Sequence, residues 1–319
     1  MTSTRKAGPH RPPARPDAAK AVILGSGLWH VLDRPGPPRR VNSAGATPGG
    51  LGLSGGKVRK TPFGPSQPIF EATFPGGARA LVLTRHGERG YEIGAWNVNY
   101  RANLWALKDL GADCILATSA CGGIAPDLAA GEFLVPDDIL DKTTSRSKTF
   151  FEESGLGVLR HSDPFCPALR SVLAEALAES AAAHRLGGVY AAMDGPRLET
   201  PAEIRSLAAE GATVVGMTLA PEWALARELE ICYAALCWVV NPAEGVKDRP
   251  YRPGVLFEGM ADAEEAAAGD RAAERIPAIL GAALRRIGHE RPCFCRRAME
   301  RYRQRGRLGD DFRTWIGRR

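Results

Sequence analysis

No uninterrupted apolar stretch in this 319-residue chain approaches the roughly 18 residues needed to cross a bilayer as a helix. The first residues are rich in Pro, Arg and Ala, where a secretory signal would place an apolar segment. Both absences argue against a membrane or exported protein, and a cytoplasmic location is expected. The seven Cys stand at 114, 121, 166, 232, 237, 293 and 295, without the paired spacing of a zinc motif. Most fall within apolar runs and read as small core residues. Cys293-Phe294-Cys295 could close a strained local disulfide or bind a metal, but in an arginine-rich tail in a reducing compartment free thiols are expected. There is no internal repeat. A dinucleotide fingerprint is also incomplete: Gly25-Ser26-Gly27 lacks its third glycine, and no acidic residue closes a second strand at the proper place. A nucleotide-binding oxidoreductase is therefore the weaker reading.

The composition that remains is that of an ordinary globular protein, 44% hydrophobic and 24% charged. The formal net charge of +6 is concentrated at the ends. Residues 1–20 contribute +4 and residues 291–319 contribute +7, which leaves −5 for the body. Nucleic-acid binding by that body is not indicated, because a basic patch on the fold is what such binding needs.

Alternating strand and helix signals, with polar residues at their junctions, describe an α/β protein. Residues 1–19 are expected to be disordered. Lys20–Leu24 reads as a strand ending in Gly25-Ser26-Gly27, a turn that exposes N–H groups and a hydroxyl to an anion. Pro35–Gly56 looks like a surface loop, and the chain then returns through a hairpin over Thr61–Gly64 and Pro68–Phe74. Arg79–Thr84 is a strand delivering Arg85-His86-Gly87, a cation and an imidazole able to grip a dianion. Asn97–Leu110 reads as a helix stopped by Gly111, and Cys114–Thr118 as a strand that ends in Ser119-Ala120-Cys121-Gly122-Gly123. Strand ends carrying anion-binding groups recur, and their convergence says more than any one of them.

The polar run Asp141–Asp163 is expected to be a long functional loop, with His161 a surface residue, and Leu169–Leu177 an amphipathic helix. The most informative stretch is Asp194–Gly245. Thr200-Pro201-Ala202-Glu203 fits a capping box with proline in the first turn, so a helix starts there and Glu199, just before the cap, is free to face a cavity. Thr213–Gly216 reads as a buried strand, and Tyr233–Val240 as a central parallel strand with Asn241 at its carboxyl end, a position that also suits a turn. Lys247–Gly259 looks like a mobile segment. A last helix follows, marked by Ile276, Ile279, Leu280, Ala283, Leu284 and Ile287.

Thr84-Arg85-His86-Gly87, Asn99–Leu107, Ser119–Gly123, Gly195-Pro196-Arg197-Leu198-Glu199-Thr200, Gly216-Met217-Thr218 and Val239-Val240-Asn241 occur in one order. Together they resemble the trimeric purine nucleoside phosphorylases, and most closely the branch acting on 5'-methylthio-nucleosides. The resemblance covers residues 20–290, with a basic extension over 291–319. It implies a single domain around a mixed, partly barrel-like central sheet flanked by helices, and assembly as a homotrimer.

It also implies phosphorolysis, in which inorganic phosphate is a co-substrate and neither metal nor cofactor takes part. Ser26, Arg85, His86, Ser119, Ala120 and Thr218 would bind phosphate, the Ala through its backbone. Met217 would lie under the ribose with Leu198 nearby, and Glu199 and Asn241 would read the base. Glu199, Asn241 and His86 are the candidate catalytic residues. Branch members acting on 6-aminopurines carry Asp at the position of Asn241, often with a second Asp two residues on, where this chain has Ala243. An Asn amide can donate to purine N7, and a carboxylate can accept from the N1–H of a 6-oxopurine. Inosine, guanosine or 5'-methylthioinosine is thus expected ahead of methylthioadenosine. The chain departs from the family in having Tyr91–Trp96 where a Pro-rich turn usually precedes the Asn-Tyr helix.

Overall fold

The computed structural model describes residues 19–25, 28, 51–87 and 91–316. Ser26, the terminal segment before Ala19 and most of the Pro/Gly-rich stretch lie outside the described residues.

The body is built on one large mixed sheet. Its strands are β1 (Ala19–Leu24), β2 (Gly52–Lys57), β5 (Ile69–Thr73), β6 (Arg79–Thr84), β7 (Ala112–Gly123), β8 (Phe133–Val135), β9 (Asp138–Asp141), β10 (His184–Leu186), β11 (Val189–Ala192), β12 (Ala212–Gly216) and β13 (Cys232–Pro242). A separate two-strand ladder joins β3 (Lys60–Thr61) to β4 (Gly64–Pro65). The helices are α1 (Tyr100–Asp109), α2 (Pro167–Ser180), α3 (Pro201–Ala209), α4 (Glu222–Glu228), α5 (Ala263–Arg286) and α6 (Glu300–Gln304).

The main path runs β10-β8-β13-β7-β1-β6-β5-β2, and the four strands β13, β7, β1 and β6 at its centre are mutually parallel. Their carboxyl ends therefore point the same way. The ends of β1 and β6 are level, with Leu24 opposite Thr84, so the residues that follow them share one edge of the sheet. Beyond Cys121 the long strand β7, still paired with β13, also pairs antiparallel with β12, which in turn pairs with β11 and β11 with β9.

Period-two alternation divides the central strands between two cores. Ile23, Leu83, Ile115 and Tyr233 face one way, against Leu104 of α1 and Leu225 of α4. Val22, Leu24, Leu116 and Leu236 face the other way, against Leu169 of α2 and Ile276 and Leu280 of α5. Burial on both faces explains why these strands are nearly continuous apolar runs. Truncating one of these leucines to Ala would cost about 2–5 kcal/mol.

The helix starts are set locally. Asn99 caps α1 by accepting from Ala102 N at 3.1 Å. At α3 the expected box forms, with Glu203 N donating to Thr200 Oγ1 and Thr200 N to Glu203 Oε2. Asp262 and Glu265 repeat the arrangement at α5.

Several boundaries differ from the sequence reading. Within the stretch expected to be a loop, Gly52–Lys57 is an edge strand, because its backbone pairs with β5 whatever its side chains prefer. The strand expected to end at Thr118 continues through Ser119–Gly123 as the last part of β7, paired with β13 and, at Gly122 and Gly123, with β12. Lys247–Gly259 is irregular as expected, yet it is tied down, with Arg249 paired to Asp262 at 3.0 Å and to Glu265 at 2.8 Å.

The basic tail packs on the body. Met299, Tyr302, Phe312 and Trp315 are buried, and Phe312 meets Trp105 of α1 edge-on at 4.9 Å. The tail's arginines answer the body's negative charge: Arg291 pairs with Asp113 at 2.7 Å, Arg303 with Glu230 at 2.7 Å and Arg313 with Asp109 at 2.7 Å.

Candidate active site

The carboxyl ends of β1, β6 and β7 bring the first cluster together. Arg85 follows β6 and is wholly buried. Its Nε donates to Glu222 Oε1 at 2.5 Å and its Nη2 to Glu222 Oε2 at 2.8 Å, while Nη1 donates to the Thr118 carbonyl at 3.1 Å. Glu222 Oε2 also accepts from Tyr233 Oη at 2.8 Å. Burial works against the guanidinium's charge, but the Glu222 carboxylate outweighs it and holds the Arg85 pKa above its usual value. Glu222 was not legible as part of this site.

Gly25, the residue after β1, lies against Thr118 and Arg85. Its N–H donates to Thr118 Oγ1 at 2.8 Å, and a Cβ there would sit 2.6 Å from the Thr118 carbonyl oxygen and 3.0 Å from Arg85 Nη1. Glycine is required by this close approach.

His86 is buried beside Arg85. Its Nδ1 lies 2.9 Å from the Ile93 carbonyl, an acceptor only, so Nδ1 carries the hydrogen and Nε2 is left with a lone pair. Burial, and then the Arg85 charge, lower its pKa to about 4, so the ring is neutral at physiological pH. The pair Arg85-His86 is therefore one cation and one neutral acceptor. His86 Nε2 and Thr84 Oγ1 are both buried without a hydrogen-bond partner among the described residues.

Ser119 and Thr218 meet as expected, their hydroxyls 3.1 Å apart. The unexpected third member is Tyr190, whose Oη lies 3.1 Å from Ser119 Oγ and accepts from Thr218 N at 3.2 Å. Ala120 sits next to Ser119 in β7 and is half-buried. The Met217-Thr218 loop is fastened from below by Arg146, which donates to the Met217 carbonyl at 2.6 Å, the Ala220 carbonyl at 2.6 Å and the Asp194 carbonyl at 3.0 Å. Arg146 comes from the polar run 141–163, which is indeed a long irregular segment. In the same run His161 is not a plain surface residue: it packs edge-on against Trp223 at 4.6 Å, with its Nδ1 buried.

The second cluster is a cavity of about 300 Å³, at the lower end of ligand-pocket size. Leu198 and Glu199 line it together with Pro242 and Ala243, and with Tyr251, Phe257 and Met260 from the chain around the irregular segment. Glu199 is buried at its wall, and burial raises its carboxyl pKa. Because Glu203 serves the helix cap, Glu199 is free to face the cavity. Asn241 and Met217 are not among the lining residues. A register shift between Val239 and Asn241 turns the end of β13, and Asn241 Nδ2 donates to its neighbour's Pro242 carbonyl at 2.6 Å. One amide hydrogen remains for a ligand. The structure thus joins Arg85 with His86, and Ser119 with Thr218, and sets Glu199 with Leu198 at the cavity one residue beyond Asn241.

This arrangement is similar to known proteins along most of its length. The sequence profile of the phosphorylase superfamily matches residues 44–285. A probable 6-oxopurine nucleoside phosphorylase of Thermococcus kodakarensis is 40% identical over 231 residues, 70% of this chain and 83% of that protein. A probable S-methyl-5'-thioinosine phosphorylase of Pseudomonas syringae is 45% identical over 199 residues, 61% of this chain and 80% of that one. Among solved structures, the methylthioadenosine phosphorylase of Schistosoma mansoni in complex with adenine superposes with a TM-score of 0.68 at 29% identity, covering 90% of this chain and 97% of the other. With a fold, an order of motifs and a profile match that agree over most of its length, the chain belongs to the phosphorylase superfamily.

Proposed function

We propose that this protein catalyses phosphorolysis of purine nucleosides, with a 6-oxopurine as the preferred base. The observation that carries the reading is that Arg85, His86, Ser119 and Thr218 are all buried, in a chain that also has a cavity walled by Glu199. Relatives named 6-oxopurine nucleoside phosphorylase and S-methyl-5'-thioinosine phosphorylase support it.

In this reaction a phosphate oxygen forms a bond to C1' of the ribose as the bond from C1' to the purine nitrogen breaks. The electron pair leaves with the base, which gains a proton, and the sugar departs as its 1-phosphate. Arg85 supplies a fixed positive charge whose orientation Glu222 sets before phosphate arrives, so little reorganisation is needed in the transition state. His86, neutral, accepts through Nε2 from the hydroxyl of hydrogen phosphate. The Ser119 and Thr218 hydroxyls donate to the remaining oxygens and are kept in register by Tyr190. Met217 lies against the ribose. Once its side chain turns from the Pro242 carbonyl, Asn241 donates to N7 and stabilises the charge on the departing purine. Glu199 accepts from N1–H, a hydrogen that 6-aminopurines lack. Leaving that carboxylate unpaired would cost about 1–3 kcal/mol, enough for a tenfold or greater preference.

The Schistosoma enzyme named for methylthioadenosine supports a second reading, the 6-amino substrate. Ala243 on the cavity wall, where 6-amino-specific members of this branch often carry an acid, weighs against it. From the family resemblance we also infer a homotrimer acting in cytoplasmic purine salvage, without a cofactor. The exposed Tyr91 and Trp96, next to His86 and its loop, supply apolar surface for a subunit contact. Light scattering should give three times the chain mass. Inosine, guanosine, adenosine, methylthioinosine and methylthioadenosine assayed with and without phosphate test the activity. Phosphate-dependent release of hypoxanthine at the highest kcat/KM supports the proposal, and preference for an adenosine substrate overturns the base assignment.

A further inference from the structure

Four of the cysteines that look scattered in the sequence are gathered at one point. The sulfurs of Cys166, Cys232, Cys293 and Cys295 all lie within 4.8 Å of one another, and Cys232 Sγ is 3.5 Å from Cys293 Sγ. All four are free thiols, and all but the half-buried Cys293 are buried. They come from different parts of the fold: Cys166 caps the start of α2, Cys232 opens β13, and Cys293 and Cys295 belong to the tail.

We propose that these residues form a structural tetrathiolate site for a single zinc ion, which pins the C-terminal extension to the sheet. A zinc–sulfur bond of about 2.3 Å in a tetrahedron places neighbouring sulfurs about 3.8 Å apart, within the spread observed. That separation is well beyond the roughly 2.05 Å of a disulfide bond. Binding replaces four S–H protons, which pass to solvent, and leaves an excess of negative charge on the cluster.

The surroundings are suited to that charge. Arg291 lies close enough to Cys232 and Cys114 to interact electrostatically, and Arg296 shares its partner Asp113. The Nε groups of both arginines are buried without an acceptor among the described residues. The cluster sits at the amino end of β13, whereas Asn241 is near its carboxyl end, a separation of roughly 30 Å at about 3.3 Å per residue. The ion is thus assigned to folding of the tail, and not to catalysis.

The test is elemental analysis of the full chain, expressed in zinc-supplemented medium and purified under reducing conditions without chelator. The expected result is one zinc per chain, released on titration with a mercurial and detected with a zinc-sensitive dye. Zinc should be lost in the Cys293→Ser/Cys295→Ser double variant, with the segment after residue 290 becoming protease-sensitive. If that variant fails to fold, the mercurial titration of the parent decides alone. Less than a tenth of an equivalent of zinc, iron in its place, or disulfides among these residues by mass spectrometry would overturn the assignment.

Discussion

Arg85 and Glu222 face each other as a two-pronged ion pair sealed from solvent, with donor–acceptor distances of 2.5 and 2.8 Å. A guanidinium held this way cannot swing to meet an anion. It presents its remaining N–H groups in one fixed direction, which is how a buried cation can await a dianion without collapsing onto it.

Replacing Glu222 with Gln should therefore damage both stability and phosphate use. Breaking one partner of a buried pair costs about 3–5 kcal/mol, and chemical denaturation should show a loss of that order. Steady-state kinetics of the surviving enzyme should show a larger rise in the KM for phosphate than in the KM for nucleoside. Equal changes in the two would mean that Glu222 has no part in orienting Arg85.

Gly25 makes a sharper prediction, because it needs no charge to change. In Gly25→Ala the new methyl group would approach the Thr118 carbonyl to 2.6 Å and Arg85 Nη1 to 3.0 Å, so the backbone at residue 25 or Arg85 must shift. A shift worth about 1.4 kcal/mol in the transition state is a tenfold loss of kcat/KM. Parent-like activity in this variant would show that the close approach at Gly25 does not touch the chemistry.

Base choice should respond to Asn241. In Asn241→Asp the carboxylate accepts where the amide donated, so the preference for inosine over adenosine should fall by about tenfold, corresponding to a hydrogen bond of roughly 1–1.5 kcal/mol. Competition assays with both nucleosides present measure this ratio directly. An unchanged ratio would remove Asn241 from base recognition.

Buried histidines give the stability a defined pH dependence. His86 and His161 each have a folded pKa lowered to about 4 by burial, against an ordinary value of 6.5. Between those limits the unfolded chain binds more protons, so stability rises with pH and is lost on acidification. Glu228, buried under the 149–150 turn, acts the other way: its pKa is raised by burial to about 7 from 4.5, so its contribution is lost as pH rises across that interval. Two imidazoles against one carboxyl predict a net decline as pH falls from 6.5 to 4.5. Thermal melts of His86→Asn should show a shallower decline than the parent. An unaltered slope would show that His86 is not held neutral by the fold.

What could be read in advance was whatever depended on near neighbours. Thr200 and Glu203 lie three residues apart and cap a helix by themselves. Arg85 and His86 could be placed at a strand end because the strand before them is a plain apolar run. Glu222, by contrast, is 137 residues from Arg85, and nothing near it marks it as that residue's partner. Tyr190 and Arg146 enter the site through similarly distant contacts. The strand was expected to stop at Thr118 because serine and glycine are poor strand formers, but pairing with β12 and β13 carries it on to Gly123. The cysteine cluster was hidden for the same reason, since motif spacing describes ligands near in sequence and these are joined only by the fold.

The most direct test of the central claim is to follow inosine and inorganic phosphate together by phosphorus NMR with the purified full-length protein. The account predicts that the phosphate signal declines in step with hypoxanthine release while a sugar phosphate ester signal grows in equal amount. Free ribose appearing beside an undiminished phosphate signal, or no turnover at any phosphate concentration, would contradict it.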